Sequence, residues 1–404
     1  MNNLFNQHLK GDRTVWMVAL ILGIVSLLAV YSACSWMVWR HDGGTLGVLF
    51  KQGMMLAAGG FIMYMASKLK YTVYSRLSQV LLGVTIGLLL LTLLIGSNVN
   101  GASRWLVIPG LGLTFQTSDL ARVVIIVYLA RVLGRDREEP WTFKEVILKL
   151  ILPVGAVCGL ILPANFSTAA LLFGTCMILM FIGQVPLKHM LSICGIAVGG
   201  FLVLLLLAKT SPELLPRLKT WEARLSNHGG EDRDANYQVN NAKIAIVHGG
   251  FIPNGPGTGT SRNFMPHPES DMIYAFIIEE YGSIIGGLGL LLLYLILLFR
   301  AVKISNKVEK NFGKLVAIGL ALGLVLQALV NMAVAVNLVP VTGQPLPLVS
   351  MGGTSLWFTC LALGIIVSVS RSIYDNEAQP TAGNGSSPGR QRKSSANDPD
   401  IAIA

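Results

Sequence analysis

The chain has 404 residues, of which 53% are hydrophobic and only 13% are charged. Soluble globular proteins carry about 25% charged residues, so this chain has too few charges to cover the surface of a soluble fold. The formal net charge of +10 does not indicate nucleic-acid binding, because the basic residues form short clusters between apolar runs, as in the loops of membrane proteins. The composition excludes soluble, collagen-like, coiled-coil and disordered chains, and it predicts an all-α polytopic membrane protein.

Apolar runs long enough to cross a hydrocarbon core of ~30 Å predict about ten transmembrane helices. They lie near residues 15–39, 46–66, 78–98, 118–134, 145–162, 166–184, 188–208, 271–299, 315–337 and 350–370. We expect a cytoplasmic N-terminus at 1–14, a membrane domain over 15–372 and a disordered cytoplasmic tail at 373–404, which is rich in Ser, Gly and Pro. The first run is interpreted as a retained helix rather than a cleaved signal peptide.

Basic residues set the orientation of such a chain, because they concentrate on the cytoplasmic side. The clusters fall on alternate loops, which predicts a multi-pass protein of the bacterial cytoplasmic membrane with both termini inside. The large loop between the seventh and eighth runs, residues 209–270, is then extracytoplasmic; it carries many charges, but long loops are exempt from the rule. Loops of this kind commonly carry function. All five cysteines lie in apolar runs and are interpreted as core residues rather than metal ligands.

Two arginines lie in or just after the segment between the third and fourth runs. Arg104 stands beside Trp105 in a predicted outer interfacial segment, and Arg122 lies inside the fourth run. A buried intramembrane arginine needs a partner or a polar cavity. Both could contact a lipid phosphate; alternatively, Arg104 extends to the interface and Arg122 pairs structurally with a helix neighbour.

Two further outer segments allow a structural and a functional interpretation. Asn165 or Ser167 is placed to cap the sixth helix or to face a groove. The glycine-rich stretch at 255–262 could cradle a phosphate with its backbone amides or be a plain flexible loop. It is not a nucleotide-binding loop, because no Gly-Lys-Ser/Thr follows the glycines.

Asp271 heads the most specific segment, residues 266–280, where a proline-punctuated loop meets the eighth run. A lone aspartate there can be a helix N-cap. Glu279 follows eight residues later on the same helical face and Glu280 lies about 100° round. Carboxylates inside a span need partners or water, so this acidic stripe predicts a polar cavity that opens outward.

Residues 340–355 form a proline-rich outer loop between the last two runs. Ser350 precedes Gly352 and Gly353, which allow the last helix to begin close to its neighbours. Packing and substrate contact explain this loop equally well.

These motifs, in this order along ten apolar runs, resemble the SEDS family (shape, elongation, division and sporulation), to which FtsW and RodA belong. The resemblance covers roughly residues 12–372. It rests on Arg104-Trp105 with Phe115-Gln116, on Ser270-Asp271-Met272-Ile273-Tyr274-Ala275 with Glu279-Glu280-Tyr281-Gly282, and on Thr342-Gly343-Gln344-Pro345-Leu346-Pro347 with Gly352-Gly353. The chain departs from the family at Asn165, where a carboxylate is usual, which argues against a catalytic role there. The polar tail and the Thr342-Gly343-Gln344-Pro345 stretch favour an FtsW-like over a RodA-like member.

The resemblance implies an inverting peptidoglycan glycosyltransferase that polymerises lipid II into glycan strands at the outer face of the membrane, for septal synthesis in cell division. It implies a class B penicillin-binding protein and other divisome proteins as partners, and Asp271 as the essential carboxylate. Such chemistry needs a base for the acceptor hydroxyl and cations, side chains or a divalent metal ion, at the pyrophosphate. No metal ligands are assigned. The substrate-binding candidates are Arg104, Arg122, Lys243, Arg262, Glu279, Glu280 and Ser350.

Three alternatives stay open. A lipid II flippase would use the same polar residues but needs access from both faces, whereas the carboxylates cluster at the outer end. A RodA-like polymerase would serve elongation instead of division. A noncatalytic division scaffold would tolerate Asp271→Asn.

Overall fold

The computed structural model describes residues 10–34, 44–99, 102–107, 114–210, 237–264 and 270–377, which are mostly helical. The single helices are α1 Arg13–Cys34, α2 Gly44–Lys68, α3 Tyr71–Ile95, α4 Thr117–Leu133, α6 Phe166–Ile182, α7 Leu187–Thr210, α8 Tyr237–Gly249, α10 Asn311–Ala335 and α11 Gly353–Glu377. Two segments contain a π-helical stretch. They are α5, made of Phe143–Glu145, Val146–Ile151 and Leu152–Ile161, and α9, made of Ile273–Tyr281, Gly282–Leu288 and Gly289–Lys307. A 3₁₀ turn covers Ser261–Phe264.

Each of the ten predicted apolar runs overlaps one of these helices. Six helices among the described residues are long and apolar enough to cross a membrane, and α6 and most of α7 are shorter apolar helices. The prediction of a polytopic helical membrane protein is confirmed. The number of crossings, ten, stays a prediction.

A small antiparallel sheet contradicts the expectation of an all-α fold. Strands β1 Ser97–Val99, β2 Ala102–Val107 and β3 Thr114–Gln116 pair in chain order between α3 and α4, with Trp105 opposite both Ser97 and Gln116. The sequence contains a signal for this hairpin, since Asn-Gly separates Val99 from Ala102 and is the preferred pair of a two-residue turn. This signal is easily overlooked, because the hairpin is short and lies between two long apolar runs.

Helix α9 is interrupted at Gly282. The segment Ile273–Lys307 has 35 residues, which at 1.5 Å per residue would reach ~52 Å, more than a hydrocarbon core of ~30 Å. Gly282 has φ 73° and the carbonyl oxygen of Phe251 lies 2.7 Å from the position of a Cβ there, so only glycine fits. The part before the break, Ile273–Tyr281, packs against α8. It is therefore covered by protein.

Helix α10 is the centre of the bundle and is buried along most of its length. It contacts α4, α6, α9 and α11. The ends of α1, α9 and α11 define two ends of the bundle. The loop end carries Asp271 and Gly353, and the tail end carries Asp12, Arg300 and Ser370.

The start of α5 is stabilised by a capping box and by two ion pairs of Glu145. Thr142 and Glu145 form a capping box, and Glu145 also bonds Lys149 at 2.7 Å and Arg137 at 2.6 Å. The hydrogen bond from Lys149, followed by that from Arg137, lowers the pKa of Glu145 to about 2. This carboxylate is therefore ionised at every physiological pH.

Candidate functional site

Asp271 lies at the loop end, in the turn that immediately precedes α9. Met272 occupies the N-cap position of α9, so Asp271 is not the N-cap. Its side chain is half-buried, and its Oδ2 lies 3.9 Å from where a Cβ on Gly343 would be. The carboxylate thus faces the backbone of the loop between α10 and α11. It does not share a helical face with Glu279, because the helix begins after it.

The backbone on either side of Asp271 is held by two buried side chains. Asn331 Nδ2 donates to the carbonyl oxygen of Asp271 at 2.7 Å and to that of Gln344 at 2.8 Å. Ser350 Oγ donates to the carbonyl oxygen of Ser270 at 2.6 Å and accepts from the amide of Leu346 at 2.8 Å. The single proton of the Ser350 hydroxyl is therefore used by the backbone. Ser350 fixes the turn that carries Asp271.

Residues 336–352, which we call the site loop, are irregular backbone inside a helical bundle. Carbonyl groups at membrane depth need internal partners, since lipid offers none. Four carbonyl oxygens of the site loop receive a side-chain hydrogen bond from a helix. The donors are Asn331 to Gln344, Gln327 to Pro345 at 2.8 Å, Tyr294 to Pro347 at 2.5 Å and Ser26 to Val349 at 2.9 Å. Three helices, α1, α9 and α10, thus fix the loop.

Three residues of the site loop have left-handed backbone angles. Asn337 has φ 61° and Gly343 has φ 63°, which asparagine and glycine adopt most readily, but Leu348 has φ 64°. For a leucine this conformation costs ~1–2 kcal/mol. The bonded carbonyls of Pro347 and Val349 flank Leu348, so the helices hold the strained residue in place.

Arg122 lies beneath the site loop and is buried. Its NH2 group is 3.8 Å from Asp119 Oδ1 and donates to Gln344 Oε1 at 3.5 Å. Its NH1 group donates to Gln327 Oε1. The contacts of Arg122 fit the structural alternative that its sequence position allowed. Arg122 pairs with Asp119 within α4, and it orients Gln344 of the site loop and Gln327, which donates to that loop.

Glu279, Glu280 and Arg262 form a second polar cluster, which we call the loop anchor. Glu279 Oε1 accepts from the amides of Thr260 and Ser261 at 3.1 and 3.2 Å and from Ser261 Oγ at 2.9 Å. Glu280 accepts from Ser32 Oγ and lies 3.8 Å from Arg262 NH1. Both carboxylates are buried. They hold the loop 250–264 against α9, and Glu280 also lines a small, mostly apolar pocket with Ser32, Gly259 and Arg262. The polar cavity that opens outward stays a prediction.

Arg262 is committed to the same cluster. Its NH1 group donates to the carbonyl and hydroxyl oxygens of Ser32 at 3.0 and 2.9 Å, and its NH2 group donates to the carbonyl oxygen of Gly257 at 2.9 Å. The amides of Gly257 and Gly259 also hydrogen-bond Glu280. The glycine-rich stretch therefore cradles the chain's own carboxylates, which is the chemistry we expected it to offer a phosphate. The printed contacts of Arg262 all belong to the loop anchor, and its role as a phosphate ligand stays a prediction.

The remaining predicted residues lie elsewhere. The Arg104 side chain lies outside the described residues, as do His267, Pro268 and Glu269 of the segment before Asp271. Lys243 is exposed on α8. Asn165 is the N-cap of α6 and accepts from the Thr168 amide at 3.3 Å, which confirms the capping interpretation.

The sequence groups Asn331 with the loop before the last run, but sequence reasoning missed the other donors that hold the site loop. Gln327 and Asn331 stand four residues apart in the ninth apolar run, and therefore on one face of α10. Isolated polar residues in a predicted span mark functional positions, and this signal could have found Gln327 as well. Ser26 and Tyr294 gave no comparable signal.

No group of three or more His, Cys, Asp or Glu side chains in the described part of the chain is placed to hold a metal ion.

Comparison with known proteins gives concordant matches over most of the chain. A family model for FtsW, RodA and SpoVE, described as a cell cycle protein, matches residues 12–375. A probable peptidoglycan glycosyltransferase FtsW of Geobacter sp. (strain M18) is 31% identical over 367 residues, which are 89% of this chain and 96% of the relative. The stage V sporulation protein E of Bacillus subtilis (strain 168) is 28% identical over 374 residues, which are 89% of this chain and 97% of the relative.

Solved structures share the fold. A chain of a peptidoglycan synthase complex, described as coordinating polymerization and crosslinking, superposes with a TM-score of 0.72 at 23% identity, covering 90% of this chain and 98% of that one. The rod shape determining protein RodA of Thermus thermophilus superposes with a TM-score of 0.64 at 24% identity over the same shares of the two chains.

Proposed function

This chain belongs to the FtsW, RodA and SpoVE family of cell cycle proteins, and on that premise we propose that it is a peptidoglycan glycosyltransferase that polymerises lipid II into glycan strands. Its relatives of about 30% identity are named as probable enzymes of this kind. The observation that carries the site assignment is the fixed turn at Asp271. Asn331 and Ser350 hold its backbone and leave the half-buried carboxylate beside Gly343.

The chemistry is a single displacement. A sugar hydroxyl of the acceptor attacks the anomeric carbon of the donor, the bond from that carbon to the pyrophosphate oxygen breaks, and the electron pair leaves with the pyrophosphate. A carboxylate takes the hydroxyl proton as the new carbon–oxygen bond forms. One displacement inverts the configuration, so an α-linked donor gives a β-linked strand. We assign the proton acceptor to Asp271.

The other predicted substrate contacts separate into two groups. Arg104 and Lys243 remain our candidates for the pyrophosphate, because such a leaving group needs facing cations and Lys243 is solvent-exposed. For Arg122, Arg262, Glu279, Glu280 and Ser350 the contacts support positioning roles, in the support of the site loop and in the loop anchor.

We place the protein in the bacterial cytoplasmic membrane, with both termini in the cytoplasm and the loop end outside. The alternation of basic loops supports this orientation. We propose a class B penicillin-binding protein as its partner; the superposed chain comes from a complex that joins polymerization to crosslinking. The FtsW names among the relatives support a septal role.

The test is glycan synthesis from labelled lipid II by the protein purified with its penicillin-binding partner. We expect long glycan strands from the wild type and none from Asp271→Asn, with equal amounts of folded protein. Ser118→Ala, a half-buried polar residue of α4, serves as a control outside the Asp271 turn. Polymer from the Asp271→Asn variant would remove Asp271 as the base. Lipid II crossing liposome membranes without any polymer from the wild type would favour the flippase.

A further inference from the structure

A cavity of about 140 Å³ lies at the tail end of the bundle, far from Asp271. Its polar lining comes from three places: Asp12 before α1, Arg300, Lys303 and Lys307 near the end of α9, and Ser370 and Tyr374 near the end of α11. Ile304 and Ile373 complete the wall. At ~30 Å³ of liquid volume per water, this space is enough for a hydrated phosphate group.

The cavity has an excess of positive charge. Arg300, Lys303 and Lys307 stand at spacings of three and four residues, which place them on one face of α9. Asp12 is the only acid among the lining residues. Two lysines thus remain after one acid is paired with one base.

Both carboxylate oxygens of Asp12, the single acid, accept hydrogen bonds from the protein. Asp12 Oδ1 accepts from the amides of Thr14 and Val15 at 2.9 and 3.2 Å and from Arg300 Nε at 3.3 Å. Asp12 Oδ2 accepts from Arg300 NH2 at 2.5 Å. Neither Lys303 nor Lys307 takes part in an ion pair among the residues that the structure describes.

We propose that this cavity binds the phosphate of an anionic phospholipid headgroup. Helix α1 begins beside the cavity, and helices α9 and α11 end beside it, so its depth is that of the headgroups rather than of the acyl chains. Lys303 and Lys307 supply the charge, and the exposed Tyr374 hydroxyl supplies a further donor. Basic pockets between transmembrane helices are known to hold such headgroups. A bound lipid would join the ends of the three helices.

The test uses the full-length protein in neutral detergent and does not depend on catalysis. Thermal stability and native mass spectra are recorded with phosphatidylglycerol, with phosphatidylcholine and with inorganic phosphate. We expect phosphatidylglycerol alone to raise the unfolding temperature and to remain bound. In the double variant Lys303→Gln/Lys307→Gln the affinity for phosphatidylglycerol should fall about 30-fold, because each lysine removed takes away the attraction of one basic residue for an anionic membrane surface.

The matched control is Lys310→Gln/Lys314→Gln, which removes the same charge at the same end but outside the cavity. It should bind phosphatidylglycerol as the wild type does. Equal loss in both double variants would mean nonspecific charge attraction and would overturn the proposal. Stabilisation by inorganic phosphate to the same extent would overturn the lipid assignment, since the site would then bind a free anion. Equal retention of phosphatidylcholine would overturn it as well.

Discussion

Asn331→Ala tests whether the hydrogen bonds of the Asn331 side chain hold the turn at Asp271 in place. The substitution removes both hydrogen bonds of the Asn331 amide, to the carbonyls of Asp271 and Gln344. A buried carbonyl left without a donor costs ~1–3 kcal/mol. Gln344 is 3% exposed, so the loss at its carbonyl should lie near the upper limit of that range. The carbonyl of the half-buried Asp271 can bind water instead, so its loss should be smaller. We therefore expect a loss of about 2–4 kcal/mol in the free energy of unfolding.

The effect on activity should be larger than the effect on folding. A carboxylate displaced by ~1 Å can lose ~100-fold in rate. We expect kcat for glycan synthesis to fall ~10–100-fold with KM nearly unchanged, because Asn331 is buried and does not face the substrate. The assay is polymerisation of labelled lipid II, normalised to the amount of monodisperse protein at a temperature well below the unfolding transition.

Asn311→Ala is the matched control, because it makes the same change on the same helix. Asn311 donates one exposed hydrogen bond, to Asp136 at 3.1 Å, at the tail end of α10. It should lose less than ~0.5 kcal/mol of stability and keep full activity. Full activity in Asn331→Ala, at a normal level of folded protein, would refute the reasoning, since the Asp271 turn would then be held by other contacts.

Three further predictions concern the supports of the bundle. Arg122→Ala should lower the free energy of unfolding by ~3–5 kcal/mol, because it removes the ion-pair partner of the buried Asp119. Changing Asp119 to Leu as well should restore part of the thermal stability. Gly282→Ala should reduce the yield of folded protein, because a Cβ there meets the Phe251 carbonyl at 2.7 Å; normal yield would show that the break in α9 is adjustable. Asn165→Ala should cost ~0.5–2 kcal/mol as a lost cap, with unchanged activity per folded molecule; a large loss of activity would instead indicate contact with the substrate.

The sequence was informative wherever hydropathy or a short motif determined the structure. Apolar runs located the helices, and Asn165 was identified as a candidate cap because Asn before a helix accepts a backbone hydrogen bond. The sequence also marked Asp271 as the carboxylate at the entrance of α9. These features depend on residues close together in the chain.

The rest depends on contacts between distant segments. Nothing in the sequence indicates that the loop around Ser261 folds back over Glu279 and Glu280. The contact between Arg262 and Ser32 is equally hidden, because the two residues lie 230 positions apart in the chain. The break at Gly282 requires the backbone of Phe251 as a neighbour, which a helical periodicity does not reveal.

The hydrogen bonds to the site loop make the position of Asp271 depend on the tilt of the helices that donate them. Ser26 belongs to α1, whose opposite side carries Met17, Leu20 and Ile24 at 61%, 62% and 50% exposure. A rigid-body shift of α1 that withdraws the Ser26 hydroxyl releases the Val349 carbonyl, one residue from Ser350, which holds the Asp271 turn. We therefore expect a membrane-embedded protein bound to the outer side of α1 to change the rate of sugar transfer without contacting either sugar.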